Sequence, residues 1–214
     1  MSALDSIINS QEFDLLAAEL CQAGRFFAER GWSPATSSNY SALLPDRHIA
    51  ITRTGVNKYE ISREDIIVVD KNGHVVAPVG ARSSAETLIH TAIYALRPKA
   101  KACLHTHSPL NTRLSLKFKN QGQLQFSGYE LQKGLAGNST HKRVDTLPIL
   151  ENSQDMNEFT KSVEKLLRET EDIYGFLISG HGLYTWGESV SEARRHVETY
   201  EFLMSCTALE LTGI

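Results

Sequence analysis

Apolar side chains recur at three- and four-residue spacing over residues 11–30, with Phe13, Leu16, Leu20, Ala23 and Phe27 on one helical face. Gly31 is placed to end that helix. Residues 34–41 are small and polar, and a strand-like run over 42–44 follows. Residues 48–52 read as a second strand, its hairpin partner across Pro45 and Asp46. Residues 66–70 and 74–77 flank the turn Lys71-Asn72-Gly73 as another hairpin. The pattern is helical over 84–96, and Pro98 closes that segment. Residues 101–106 read as a strand, followed by a helix with Pro109 at its first position. A strand over 123–126 leads to a short helix over 129–135, and 146–149 is a short strand. The helix over 157–168 gathers Phe159, Val163, Leu166 and Leu167 on its buried side. Residues 173–178 and 182–186 form a strand pair, and a long helix spans 189–211.

Repeats, low-complexity tracts and linkers are absent, so residues 1–214 read as one α/β domain. Consecutive hairpins argue for a mixed sheet covered by helices rather than a purely parallel one. A chain of 214 residues, 41% hydrophobic and 22% charged, has the length and composition of a soluble protein with a sizeable core. A net charge of -3 argues against nucleic-acid binding through general basicity. No apolar run approaches the ~20 residues that span a bilayer. Residues 1–5 lack the basic start and apolar stretch of a signal peptide. Cys21, Cys103 and Cys206 are odd in number, widely spaced and set in apolar patterns, as reduced thiols of a cytoplasmic protein are.

Three histidines carry most of the chemistry. His105 and His107 lie at the end of an apolar run, where period-two alternation puts both imidazoles on one strand face and turns Thr106 away. His181 follows a second strand-like run and is flanked by Gly180 and Gly182, which permit unusual backbone angles and close approach. A histidine pair at this spacing is moderately specific, and Gly-His-Gly is often only a turn. Together at strand ends they describe three ligands of a catalytic zinc with an open fourth position. Cys103 shares the ligands' face and is read as a small core side chain.

Such a site needs a proton-transfer group beside it. Glu86 and Glu130 are the candidates, and each also fits an S-x-x-E capping box at a helix start. The clusters Thr36-Ser37-Ser38-Asn39, Thr52-Arg53-Thr54-Gly55 and Ser83-Ser84 offer hydroxyl, amide and backbone donors for a phosphate. Residues of these types also populate ordinary turns.

With Thr36 to Ser41, Ile51 to Gly55, Ser84-Ala85-Glu86, His105-Thr106-His107 and Gly180-His181-Gly182 in this order, the chain resembles the class II aldolase and adducin-head superfamily. Within it, Gly128 to Ala136, Thr140-His141, Pro148-Ile149 and Asn152 to Asp155 are similar to the methylthioribulose-1-phosphate dehydratase branch. The resemblance implies a three-layer α/β/α domain with a mixed, largely antiparallel central sheet. It implies one Zn²⁺ per subunit on His105, His107 and His181, a sugar-phosphate substrate, and a homotetramer with the active site near a subunit interface. Ser38, Asn39, Thr54, Gly55 and Ser84 would hold the phosphate. Glu130 matches the catalytic acid/base of the dehydratases, and Glu86 the principal glutamate of the sugar-phosphate aldolases. An aldolase or epimerase, or a non-catalytic adducin-like domain, are the competing expectations. Where aldolases carry Gly-Asn this chain has Ser38-Asn39, and where they carry a second serine it has Ala85.

Overall fold

The computed structural model describes residues 7–213, so the reading of residues 1–5 lies outside it. A nine-stranded sheet in the order β4-β3-β2-β1-β5-β9-β8-β7-β6 runs through the molecule. Its strands are β1 (Asn39–Leu43), β2 (Ile49–Thr52), β3 (Ile66–Val69), β4 (Val75–Ala77), β5 (Ala102–Thr106), β6 (Gln123–Phe126), β7 (Asp145–Leu150), β8 (Gly175–Ile178) and β9 (Gly182–Gly187). Every neighbouring pair is antiparallel except β7 with β8. Among the described residues, five helices cover the sheet: α1 (Gln11–Glu29), α2 (Thr87–Leu96), α3 (Pro109–Lys117), α4 (Met156–Glu169) and α5 (Val190–Thr212).

Alternation along the strands splits the core into two layers. Ala102 and Leu104 of β5 pack with Phe13 and Phe27 of α1 and with Val197 and Leu203 of α5. Cys103, between them, faces the other way, toward Ile89 and Ile93 of α2 and Phe159 and Val163 of α4. The three-layer arrangement with a mixed, largely antiparallel sheet is therefore observed. Among the described residues no helix is long and apolar enough to cross a membrane.

Helix starts follow local chemistry. Ser10, Ser108, Asp155 and Ser189 each accept a backbone N–H from the first turn of the helix they cap. The short helix read over 129–135 is a 3-10 helix, Glu130–Gly134. One expectation changes. Strand β1 begins at Asn39 rather than at residue 42. Small polar side chains hid that start, because only pairing with β5 on one edge and β2 on the other makes it a strand.

Candidate metal centre and active site

Sheet register builds the site. Asn39 lies directly opposite His105, and His105 opposite Tyr184, so the three side chains stand in one row on the α2 side of the sheet. His105 is fully buried, and its ring stacks on Tyr184 at 3.9 Å between centroids. Its Nδ1 lies 3.0 Å from the Leu183 carbonyl. That contact assigns the proton to Nδ1 and leaves the Nε2 lone pair aimed inward. His107 follows the end of β5, with its ring 4.2 Å from that of His105. His181 sits in the β8–β9 turn, its ring stacked parallel to His107 at 4.8 Å.

The glycines beside His181 have separate tasks. Gly180 takes a φ of +68°, which turns the chain. A Cβ at Gly182 would lie 2.3 Å from the Thr106 carbonyl and 2.7 Å from both His105 and His107, so only glycine lets the ligand segments meet.

Glu86 joins this group. It is the N-cap residue of α2, yet its side chain caps nothing, so the capping-box expectation at this position fails. Its Oε1 lies 2.9 Å from His181 Nε2 and 3.7 Å from His105 Nε2. Asn39 Nδ2 donates to its Oε2 at 2.5 Å, while the Asn39 Oδ1 is engaged by His90. Ser41 links His90 Nδ1 and the Tyr94 hydroxyl, each at 2.7 Å. Burial raises the Glu86 pKa, but the His181 contact and the Asn39 hydrogen bond outweigh it and hold the carboxyl ionised. His90, one turn along α2 from Glu86, is the supporting residue that the sequence reading missed; the i, i+4 spacing was its signal.

The donor atoms of Glu86, His105, His107 and His181 lie within 4.8 Å of one another. Burial, with the neighbouring histidines, drives His105 well below its ordinary value and His107 down to about 2. These two rings are neutral, as ligands must be. Both nitrogens of His107 are buried without any hydrogen-bond partner. Buried polar atoms are nearly always satisfied, so this orphaned ring is fitted to receive a cation. Three imidazoles and one carboxylate suit a divalent metal of the zinc type. The sequence supplied three ligands and an open position; the fold adds Glu86 as a fourth donor.

The ligand segments are braced from behind. Glu201 on α5, buried against α3, accepts from Ser108 Oγ at 2.9 Å and Asn111 Nδ2 at 3.0 Å. Thr112 Oγ1 in turn donates to the His181 carbonyl at 3.0 Å. Burial pushes the Glu201 carboxyl up to about 7. A raised folded pKa gives stability that is full below the ordinary value of 4.5 and is lost as pH climbs through about 7. Between those limits the wild type should lose roughly 3 kcal/mol relative to Glu201→Gln. Urea midpoints of both proteins across that range test this, and a constant gap between them refutes it.

Glu130 stands apart from this group. Its side chain is 72% exposed, 2.5 Å from Lys133 Nζ and 3.4 Å from His141 Nδ1. It caps nothing either: the Tyr129 N–H is taken by Gln132 Oε1 at 3.0 Å. The Lys133 hydrogen bond, with the charges of Lys133 and His141, lowers its pKa. The raised pKa expected of an acid is therefore not found within the single chain, because the burial it needs is absent.

The phosphate candidates are drawn together by the loops that carry them. Thr54 N–H donates to the Arg82 carbonyl at 3.1 Å, joining its loop to that of Ser84. The Ser84 Oγ accepts from Glu86 N–H at 3.2 Å. Ser38 Oγ is buried without a partner. Asn39 is turned to Glu86 instead of open space, so its first task is to aim that carboxylate. Cys103 is a core thiol, its pKa pushed well up by burial.

The sequence pattern of the family described as class II aldolase and adducin N-terminal domain matches residues 18–208. A methylthioribulose-1-phosphate dehydratase of Stenotrophomonas maltophilia (strain R551-3) is 47% identical over 89% of this chain and 89% of its own length. One of Hahella chejuensis (strain KCTC 2396) is 47% identical over 91% of this chain and 93% of its own. An L-fuculose-1-phosphate aldolase from Thermus thermophilus superposes with a TM-score of 0.74 at 25% identity, covering 94% of this chain and 97% of that one. Length, order and fold agree from the first helix to the last, and the chain belongs to the class II aldolase and adducin N-terminal domain family.

Proposed function

We propose that this chain is a metal-dependent hydro-lyase that dehydrates 5-methylthioribulose 1-phosphate to 2,3-diketo-5-methylthiopentyl 1-phosphate, a step of methionine salvage. The observation that carries the reading is the convergence of Glu86, His105, His107 and His181 on one point, in a chain 47% identical to named dehydratases. When bound, a zinc ion there supplies Lewis acidity beside the substrate carbonyl.

The chain's own residues account for the proton movements. The reaction breaks the C3–H and C4–O bonds and releases the C4 hydroxyl as water. Glu130, held ionised by Lys133 and His141, starts as a base: it takes the C3 proton and returns it to the departing C4 oxygen. The enol left behind tautomerises to the diketone. Glu130 shares an exposed rim with Leu131 and Phe202. The reading therefore includes a homo-oligomer in which this rim meets a neighbouring copy and Glu130 reaches a metal centre across the contact. Glu86 orients the histidines and completes the ligand set. Ser38, Thr54, Gly55 and Ser84, with the remaining Asn39 amide hydrogen, receive the phosphate.

One observation favours a sugar-phosphate aldolase instead: Glu86, not Glu130, touches the histidines. A non-catalytic domain does not explain an intact donor set. The test is purified protein with 5-methylthioribulose 1-phosphate, following diketone formation before chelation, after it and after zinc is restored. Turnover should be lost and then regained. Chelator-insensitive turnover removes the metal, and cleavage of fuculose 1-phosphate without dehydration moves the chain to the aldolases.

A further inference from the structure

One buried lysine ties the candidate phosphate loops together, and neither the ligand set nor the proton transfer uses it. Lys58 is fully buried between the loops at 36–39 and 54–58. Its Nζ donates to the Ser37 carbonyl at 2.9 Å and to the Val56 carbonyl at 2.9 Å. An ammonium has three N–H donors, so one is left over, and the charge meets no carboxylate but the face of the Tyr40 ring, 6.0 Å from its centre. Among the described residues it makes no ion pair. Asp65, the carboxylate whose charge reaches it, is already held by Arg53 at 2.7 Å and by the Ser62 N–H at 3.0 Å. Burial lowers the Lys58 pKa to about 8, which leaves the group mostly charged at neutral pH. A buried charge normally has a partner, because desolvation is otherwise uncompensated.

The surroundings point to an anion as that partner. The Ser38 hydroxyl, next to the carbonyl that Lys58 holds, is buried and unpaired. Ser38 also takes a φ of +73°, a conformation that disfavours any residue but glycine. At Gly55, on the second loop, a Cβ would meet nothing within 4 Å, so its backbone borders open space.

We infer that Lys58 is the counter-charge of the substrate's phosphate, acting with the Ser38 hydroxyl from behind the loop that binds it. This rests on the sugar-phosphate reading above. The neutral donors legible in the sequence then set the geometry of the phosphate, and a cation hidden from solvent supplies the attraction.

The experiment compares wild type, Lys58→Met and Ser38→Ala as full-length, zinc-loaded protein. KM and kcat for 5-methylthioribulose 1-phosphate and the inhibition constant of inorganic phosphate are measured, with circular dichroism and zinc content to verify folding. For Lys58→Met, KM and the phosphate constant should both rise roughly ten- to a hundredfold, with kcat changed far less. A folded Lys58→Met with both constants unchanged overturns the inference. Should that variant not fold, the wild type decides: inorganic phosphate should raise its thermal midpoint, with and without zinc, above that in chloride of equal ionic strength. No such rise overturns the inference as well. If the chain turns over no 5-methylthioribulose 1-phosphate, yet phosphate stabilises it only while Lys58 is present, the reaction assignment fails and the role of Lys58 stands.

Discussion

Alanine in place of His107 should leave a folded protein that has lost its metal and its turnover. His107 makes no hydrogen bond with either ring nitrogen, so its removal takes no protein contact of that kind from the fold. What it removes is one of four donors lying within 4.8 Å of each other. Losing even a residue that only supports a metal ligand weakens binding by ten- to a hundredfold, so losing a ligand should cost at least about a hundredfold. Because the metal binds only the folded chain, that loss also appears as stability. At a zinc concentration of about 100 times the wild-type Kd, the metal should stabilise wild type by about 2.7 kcal/mol and the variant by a small fraction of that. Thermal unfolding with and without zinc, together with the zinc content of the purified proteins, tests both statements. Equal zinc stabilisation of the two proteins would show that the orphaned ring is not a ligand.

Conversion of Glu130 to glutamine should stop dehydration while leaving metal and fold intact. The side chain is exposed and its partners are Lys133 and His141, so the change breaks only surface ion pairs, which contribute little to stability. Loss of a general base typically lowers turnover by roughly 10²–10⁴-fold. Glu86→Gln should behave differently. Glu86 lies among the metal donors and accepts from Asn39, so the change should lower zinc affinity as well as turnover. Single-turnover rates and zinc titrations on both variants separate the two roles. If Glu130→Gln turns over at the wild-type rate while Glu86→Gln retains zinc and is inactive, the proton transfer belongs to Glu86 and the aldolase reading gains.

Local chemistry was legible from the chain. Period-two alternation placed His105 and His107 on one face, and Gly180 and Gly182 announced a tight approach at His181. Apolar spacing, with Gly31, Pro98 and Pro109 as end and start signals, located the five helices, because these signals act within a few residues. Motif order pointed to the family, and with it the three layers and the mixed sheet.

Three matters needed the folded chain, because each depends on residues far apart in sequence. The first is the start of β1: Asn39 becomes a strand residue only through pairing with His105, and so comes to aim Glu86. The second is the choice between capping and chemistry for the two glutamates, which share one local pattern. Glu86 was captured by histidines from β5 and from the β8–β9 turn, whereas Glu130 stayed on the surface with Lys133 and His141. The third is Lys58, which no local pattern singles out and which is buried only where the loops before β1 and after β2 close over it. Ligand types, element pattern and family were thus written in the order of residues along the chain. Which carboxylate joins the three histidines, and where a charge is buried, followed only from folding, because burial and long-range pairing set those outcomes.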